Sequence, residues 1–146
     1  MLIVLCALSC GLAQAVEPLA YWPMDTIKDG VVADASGHGH DAFAHGLDGK
    51  LPKVVPGMAG NGLKFTAASE QYLEVKQSAG LLAPAAFTVM AWIKPVARGG
   101  TYEIIGNYIG RKNAYAFEGL MDEVKVFAAV LSAEEIYTEA ARGMTP

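Results

Sequence analysis

Short apolar stretches alternate with clusters of glycine, proline, aspartate and asparagine from residue 19 to residue 127. Because the clusters recur at short intervals, they leave little room for long helices and predict many short strands joined by turns. β-branched and aromatic residues concentrate in six strand candidates, which are 19–24, 62–66, 72–76, 87–94, 102–110 and 120–127. The sequence therefore predicts an all-β domain.

Two of these segments alternate clearly between apolar and polar positions. In 72–76, Leu73 and Val75 are expected to face the core while the other side chains meet solvent. The longer segment 87–94 predicts a central strand with one wholly buried face, formed by Phe87, Val89, Ala91 and Ile93. The glycine-rich stretches 34–41 and 56–62 are predicted loops.

One helix is predicted, at the end of the chain. Ser132 and Glu135 form a Ser-x-x-Glu capping box, which marks a helix start, and Gly143 marks the end. Its modest apolar stripe suits a helix that lies on a sheet, and it consists of Ile136, Tyr137 and Ala140.

Composition narrows the classes of function. The 146 residues are 53% hydrophobic with a formal net charge of -4, which fits one globular domain. The longest basic run is Arg111-Lys112, so the sequence gives no basic surface for nucleic acid or an anionic membrane.

Residues 1–15 have the character of a secretory signal. They carry no charge, begin with an apolar run and end in Ala13-Gln14-Ala15, a pattern that signal peptidase accepts. The usual positive N-terminal region is missing, so a buried apolar segment is one alternative, and a lipoprotein anchored through Cys10 is another. We expect cleavage after Ala15, a mature domain of residues 16–146 without a membrane span, and a secreted, periplasmic or cell-surface location.

Cleavage would remove both cysteines, Cys6 and Cys10. The mature domain would then have no disulfide, and its stability would depend on core burial or a bound ion.

Asp122 stands out within the strand candidate 120–127. Strict alternation puts it on one face with Leu120, Val124 and Val126, and a carboxylate on a core-facing side costs several kcal/mol unless it is compensated. Hydrogen bonds from a nearby turn are one compensation. A calcium ion is another, since calcium takes six to eight oxygen ligands and glycine-rich loops can offer carbonyls.

The order of several motifs resembles the laminin-G-like, concanavalin A-like jelly-roll domains of secreted bacterial proteins. The matching stretches are AYWPMD (20–25), DASGHGHDA (34–42), GMAGNGLKF (57–65), YLEVK (72–76), FTVMAWIKP (87–95) and FEGLMDEVKVFAAVLSAEEI (117–136). They span nearly all of residues 16–146, and the last stretch is the most specific.

This resemblance implies an antiparallel jelly-roll β-sandwich that acts as a carbohydrate-binding or adhesive module. It also implies a structural calcium ion at one rim. Carried over motif by motif, the calcium ligands fall on Asp25, Asp34 and Asp122, with loop carbonyls near Gly39 and His40.

The sequence departs from the family after residue 106. The segment YEIIGN runs almost directly into YIGRKNAYAFEG, so the chain is about 40 to 60 residues shorter than the usual sandwich. The missing strands would leave edges and apolar faces uncovered. Three explanations of the shorter length stay open: a compact variant, a homodimer that closes the sheets, or a defective gene product.

The residue patterns of common enzymes are absent. No two acidic residues are spaced i, i+2, as the hydrolase relatives of this fold require, so a glycoside hydrolase is disfavoured. There is no Gly-x-Ser-x-Gly or His-Glu-x-x-His motif. His38, His40 and His45 offer a transition-metal site, although the same residues suit a polar turn.

Exposed aromatic rings are expected to stack on a bound carbohydrate, and the candidate residues are Tyr102, Tyr108 and Tyr115. Trp22 and Trp92 lie in predicted core strands, so we expect a structural role for both. The sequence predicts a non-enzymatic module that binds a glycan or another cell-surface ligand. The alternative is a structural or protein-interaction domain that self-associates through sheet edges.

Overall fold

A computed structural model describes residues 16–76, 81, 85–96, 117–142 and 144. Within these ranges the chain forms antiparallel strands and one short C-terminal helix, which confirms the all-β prediction. The strands are β1 (Ala20–Trp22), β2 (Val31–Val32), β3 (Ala42–His45), β4 (Lys53–Pro56), β5 (Asn61–Phe65), β6 (Tyr72–Val75), β7 (Thr88–Pro95) and β8 (Gly119–Phe127). The helix is α1 (Ala133–Ala141), and single 3₁₀ turns occupy Leu47–Gly49 and Ala67–Ser69.

The strands form two antiparallel sheets. In the five-stranded sheet β8 is central, with β7 along one edge and both β1 and β5 along the other, while β4 pairs with β5. The second sheet has the order β2-β3-β6. The sequence predicted that 87–94 would be the central strand, but among the described residues β7 pairs with β8 alone.

One face of each sheet contributes to a common core. Buried side chains from β1, β2, β3 and β5 form its centre, and the half-buried Leu73 and Val75 of β6 pack against it as predicted. The buried strand residues are Ala20, Trp22, Val32, Ala42, Leu63 and Phe65. Burying a large apolar side chain contributes about 1.5–3 kcal/mol, so this cluster stabilises the contact between the sheets.

Among the described residues, the core cluster does not extend under β7. The face predicted to be wholly buried is instead open, with Phe87, Val89 and Ile93 exposing 63%, 58% and 44% of their surface. The prediction is wrong because none of the β7 side chains joins the core cluster in the described part of the chain. β7 therefore extends the five-stranded sheet beyond that core.

A β-bulge interrupts the alternation of β8. Trp92 pairs with Asp122 whereas Met90 pairs with Lys125, so Glu123 and Val124 together face one residue of β7. Glu123 has a φ of 51°, a left-handed backbone that a bulge accommodates. As a result Met121 and Val124 both pack against the core, and Asp122 and Glu123 turn to the opposite face.

Helix α1 lies over that opposite face. Ser132 accepts a hydrogen bond from the amide of Glu135, and the Glu135 carboxylate accepts one from the amide of Ser132, as the capping box predicted. Ile136 and Ala140 lie near the sheet, but Tyr137 exposes 77% of its surface and does not belong to the apolar stripe. None of the helices in the described residues has the length and hydropathy needed to cross a bilayer.

Candidate functional site

Asp122 is buried under the turn that joins β4 to β5. Its side chain is fully inaccessible, and its Oδ2 accepts hydrogen bonds from the amides of Met58 at 2.6 Å and Ala59 at 3.0 Å. The bulge places the carboxylate on the face away from the core, so the predicted position beside Val124 and Val126 is wrong. The turn supplies the compensation that a buried carboxylate needs.

Glycine lets the turn approach this closely. A Cβ on Gly57 would lie 2.5 Å from Asp122 Oδ2, and a Cβ on Gly62 would lie 3.2 Å from the Asp122 Cβ. A side chain at either position would push the amides away from the carboxylate.

Asp25 holds the other end of the same turn. Its Oδ1 accepts a hydrogen bond from the amide of Asn61 at 2.7 Å. Gly60 approaches so closely that a Cβ there would lie 2.6 Å from that oxygen. Two of the three predicted carboxylate ligands, Asp25 and Asp122, therefore meet at one turn.

Asp34 organises a different loop. Its Oδ1 accepts from the amides of Tyr21 and Ser36, and its Oδ2 accepts from the Ser36 hydroxyl and the His40 amide. Burial opposes ionisation, but the hydrogen bonds from Ser36, Tyr21 and His40 outweigh it and lower the pKa of Asp34 to about 2. These four bonds fill the acceptor capacity of a carboxylate.

The neighbouring loop carbonyl is also engaged. The His40 carbonyl accepts a hydrogen bond from the Trp22 indole N–H at 2.8 Å. Trp22 is buried, so its predicted structural role agrees with its place in the core. Gly39 has a φ of 77° and provides the left-handed backbone that closes this loop.

A cation site has one feature in its favour at Asp122. Its Oδ1 is buried without a hydrogen-bond partner in the described residues, and such an oxygen is suited to a cation or a bound water. The described residues contain no group of three or more His, Cys, Asp or Glu side chains that could hold a metal. Calcium binding by Asp25, Asp34 and Asp122 remains a prediction from the resemblance.

The histidines lie in two places. His38 and His40 stack with their ring centroids 6.3 Å apart in the loop after β2. His45 lies on β3, where it contacts Glu74 at 3.0 Å and stacks on Tyr72. No three-residue metal group includes them among the described residues.

A cavity of about 300 Å³ opens between β7, β8 and α1. Its apolar wall includes Trp92, Met90 and Ile136, and its polar wall is formed by Glu123, Lys125 and Glu139. Trp92 is half-exposed and lies on the face away from the core, so it is not the core residue that the sequence predicted.

The polar wall is a network of charges that are more than nine-tenths buried. Lys125 Nζ lies 3.5 Å from Glu123 and 3.4 Å from Glu139, and these three side chains are only 6–9% exposed. Tyr21 donates its hydroxyl to Glu123 at 2.8 Å, and Arg142 contacts Glu139 at 3.0 Å. The two cations balance the two carboxylates.

Burial and nearby negative charge act together on Tyr21, at one end of this network. Burial, followed by the hydrogen bond and negative charge of Glu123 and by the charges of Asp25 and Asp122, raises the pKa of Tyr21. The phenol therefore stays protonated and remains a donor to Glu123 at physiological pH.

Sequence reasoning missed this cavity. Glu123 and Glu139 are 16 positions apart and come from a strand and a helix, so a search for acids along one strand face does not pair them. The predicted ligand residues Tyr102, Tyr108 and Tyr115 lie outside the described residues. The laminin-G-like resemblance stays a prediction from the motifs. No protein-family model, curated protein or solved structure matches the chain.

Proposed function

We propose that the chain is a secreted, non-enzymatic carbohydrate-binding module of the laminin-G-like jelly-roll type. The observation that carries this proposal is the cavity between β7, β8 and α1, where an indole faces a set of buried charged groups. Its volume of about 300 Å³ is at the lower end of the range for ligand pockets, which suits one sugar ring or a chain end.

The chemistry of the cavity favours a neutral polyhydroxylated ligand. Hydroxyl groups can donate to the carboxylates of Glu123 and Glu139 and accept from the ammonium of Lys125. The apolar face of a sugar ring can pack on Trp92. Because the charges of the network and Arg142 sum to zero, an ionic ligand would bring an uncompensated charge into a desolvated site.

The arrangement argues against a glycoside hydrolase. Such enzymes need two carboxylates with room between them for the scissile bond. Here both carboxylates contact the same ammonium, that of Lys125, within 3.5 Å. The cation neutralises the pair and stands where the bond would have to lie, which supports a binding role.

A calcium ion belongs to the proposal as a structural element. Asp122 Oδ1 and Asp25 would hold it beside the glycine-rich turn, and it would compensate the buried Oδ1, which accepts no hydrogen bond from the described residues. Asp34, Gly39 and His40 remain predicted ligands from the resemblance, and their loop is already closed by the Asp34 hydrogen bonds.

Titration with neutral oligosaccharides, followed by tryptophan fluorescence, tests the carbohydrate site. The chain has only two tryptophans and Trp22 is buried in the core, so a change in fluorescence reports mainly on Trp92. We expect Trp92→Ala to weaken binding at least about tenfold, as loss of an aromatic anchor does. Tyr137→Ala is the matched control, because Tyr137 is exposed on α1 but does not line the cavity.

Three outcomes decide between the candidate sites. Binding that is lost in Trp92→Ala and kept in Tyr137→Ala supports the cavity. Binding that survives Trp92→Ala but is lost in the Tyr102, Tyr108 and Tyr115 variants places the site where the sequence predicted it. No binding to any sugar tested, with a folded chain, refutes the carbohydrate proposal.

Secretion has its own test. N-terminal sequencing of the protein recovered from an expressing culture should begin at Val16. Sequencing that begins at Met1 would refute cleavage, and a blocked N-terminus at Cys10 would indicate lipidation.

A further inference from the structure

We propose that the open face of β7 is a self-association surface that packs against the same face of a second copy of this chain. The surface consists of the exposed residues at alternate positions of this strand, Phe87, Val89, Ala91, Ile93 and Pro95, and we call it the β7 face. It lies on the opposite side of the sheet from Met90 and Trp92, although Val89 and Ala91 also border the Trp92 cavity.

The β7 face continues the core of the protein. Val89 pairs with Val126 and Ile93 pairs with Met121, and both of these β8 partners pack against the core cluster. On β7 the same apolar surface is left open, with Phe87 63% and Val89 58% exposed. A partner that covers the β7 face must therefore present an apolar face of a β-sheet, as the second sheet does in the core.

A second copy meets that requirement. The β7 face carries no charged side chain, although the chain as a whole has a net charge of -4, so two copies can meet here without bringing like charges together. Its residues are also arranged symmetrically about Ala91. A two-fold axis at Ala91 sets Val89 of one copy against Ile93 of the other, and Phe87 against Pro95, as an isologous interface requires.

The size of the face limits the affinity. From Phe87 to Pro95 the strand spans about 27 Å, and a single strand presents an apolar strip of about 300–400 Å². That is roughly half of the ~800 Å² per partner in a stable interface. The remainder must come from a polar rim, and we expect a micromolar rather than a nanomolar dimer.

Sedimentation velocity of the full-length chain between about 1 and 100 µM tests the proposal, since this range brackets a micromolar dissociation constant. We expect a reversible monomer–dimer equilibrium. Val89→Lys should raise the dimer dissociation constant more than about tenfold, because lysine would be desolvated at the centre of the interface. Val54→Lys is the matched control, since Val54 is 41% exposed on β4 at the far edge of the same sheet.

Crosslinking gives a second readout that does not depend on a disruptive variant. In a chain with Cys6→Ser and Cys10→Ser, Ala91→Cys provides one thiol at the proposed axis, and a short bismaleimide should link two copies through it. The same reagent should leave a Val54→Cys chain unlinked.

Each outcome bears on the proposal. A wild-type chain that is monomeric at every concentration would overturn it, and would mean that another part of the same chain or solvent covers the β7 face. Dimers that persist in Val89→Lys, with no crosslink at Ala91→Cys, would also overturn it and place the contact elsewhere. Circular dichroism of each variant establishes that a monomer is a folded one.

Discussion

Replacing Asp122 by alanine tests what compensates the buried carboxylate. The substitution removes the acceptor of the Met58 and Ala59 amides and leaves both donors in a site that is closed to solvent on the Asp122 side. A hydrogen bond to a charged group contributes about 1.5–3 kcal/mol, so we expect Asp122→Ala to reduce the free energy of unfolding by about 3–5 kcal/mol. That is a large part of the 5–15 kcal/mol of an ordinary domain.

Urea unfolding followed by circular dichroism measures this loss. Asp122→Asn is the finer variant, because it keeps an oxygen for the two amides and removes only the charge, and it should cost about 1–2 kcal/mol. Asp25→Ala is the control at the other end of the turn, where one amide bond is lost and the expected cost is about 1 kcal/mol. A loss below about 1 kcal/mol in Asp122→Ala would refute the argument that the turn depends on this carboxylate.

The same experiment with calcium and with a chelator separates the two forms of compensation. If calcium binds, linkage raises the free energy of unfolding by about 2.7 kcal/mol at a concentration a hundred times the dissociation constant. Asp122→Asn should then lose that increment. Unfolding that is indifferent to calcium in the wild-type chain would leave the amides of Met58 and Ala59 as the compensation and would exclude a folded-state calcium site at Asp122.

Three further predictions concern loops and helix ends. The pKa of Asp34 is lowered to about 2 in the fold, so its contribution to stability is present above pH 4 and is lost as the pH falls toward 2. Urea unfolding across that window should show the free energy of unfolding fall by about 2 kcal/mol, and Asp34→Asn should abolish this pH dependence. Gly57→Ala should lower the free energy of unfolding by about 1–3 kcal/mol, since its Cβ would lie 2.5 Å from Asp122 Oδ2. In a double-mutant cycle, Gly57→Ala should lower the free energy of unfolding by less when Asp122 is already alanine. Ser132→Ala removes the hydroxyl that accepts a hydrogen bond from the Glu135 amide, so it should lower the free energy of unfolding by about 1 kcal/mol. Thermal unfolding measures this loss, and an unchanged transition temperature would contradict the capping role.

Local chemistry made some elements predictable. The capping box of Ser132 and Glu135 specifies a helix start by itself, because both hydrogen bonds form within four residues. The strand at Tyr72–Val75 was predictable because one of its faces meets solvent and the other meets the core. Three strands were missed, β2, β3 and β4. β2 has only two residues, β3 depends on its pairing with the distant β6, and β4 has no alternation of buried and exposed positions.

The open face of β7 shows a limit of reading burial from alternation. A strand with apolar residues at every second position can face a core, but the pattern does not say whether a second sheet reaches over it. In the part of the chain that the structure describes, the core cluster ends at the residues of β8, and β7 lies beyond that limit. Whether Val89 and Ile93 are buried or exposed therefore depends on how far the second sheet extends, and the sequence of β7 does not predict that extent.

Asp122 is buried, as the sequence predicts, but it lies on the face of β8 opposite to the predicted one. Alternation put the carboxylate with Val124 and Val126, but the bulge at Glu123 reverses the faces, and a left-handed glutamate gives no warning in the sequence as a glycine would. The aspartate is buried all the same, because the glycine-rich turn folds over it from the other side. Glu123 lies on the same face as Lys125, as ordinary alternation predicts, and the charge of Glu139 on α1 completes the network there. Deleting Glu123 would restore regular alternation and leave Asp122 on the face opposite Val124, so this variant should keep the turn bonded to Asp122 while it removes one carboxylate of the polar wall.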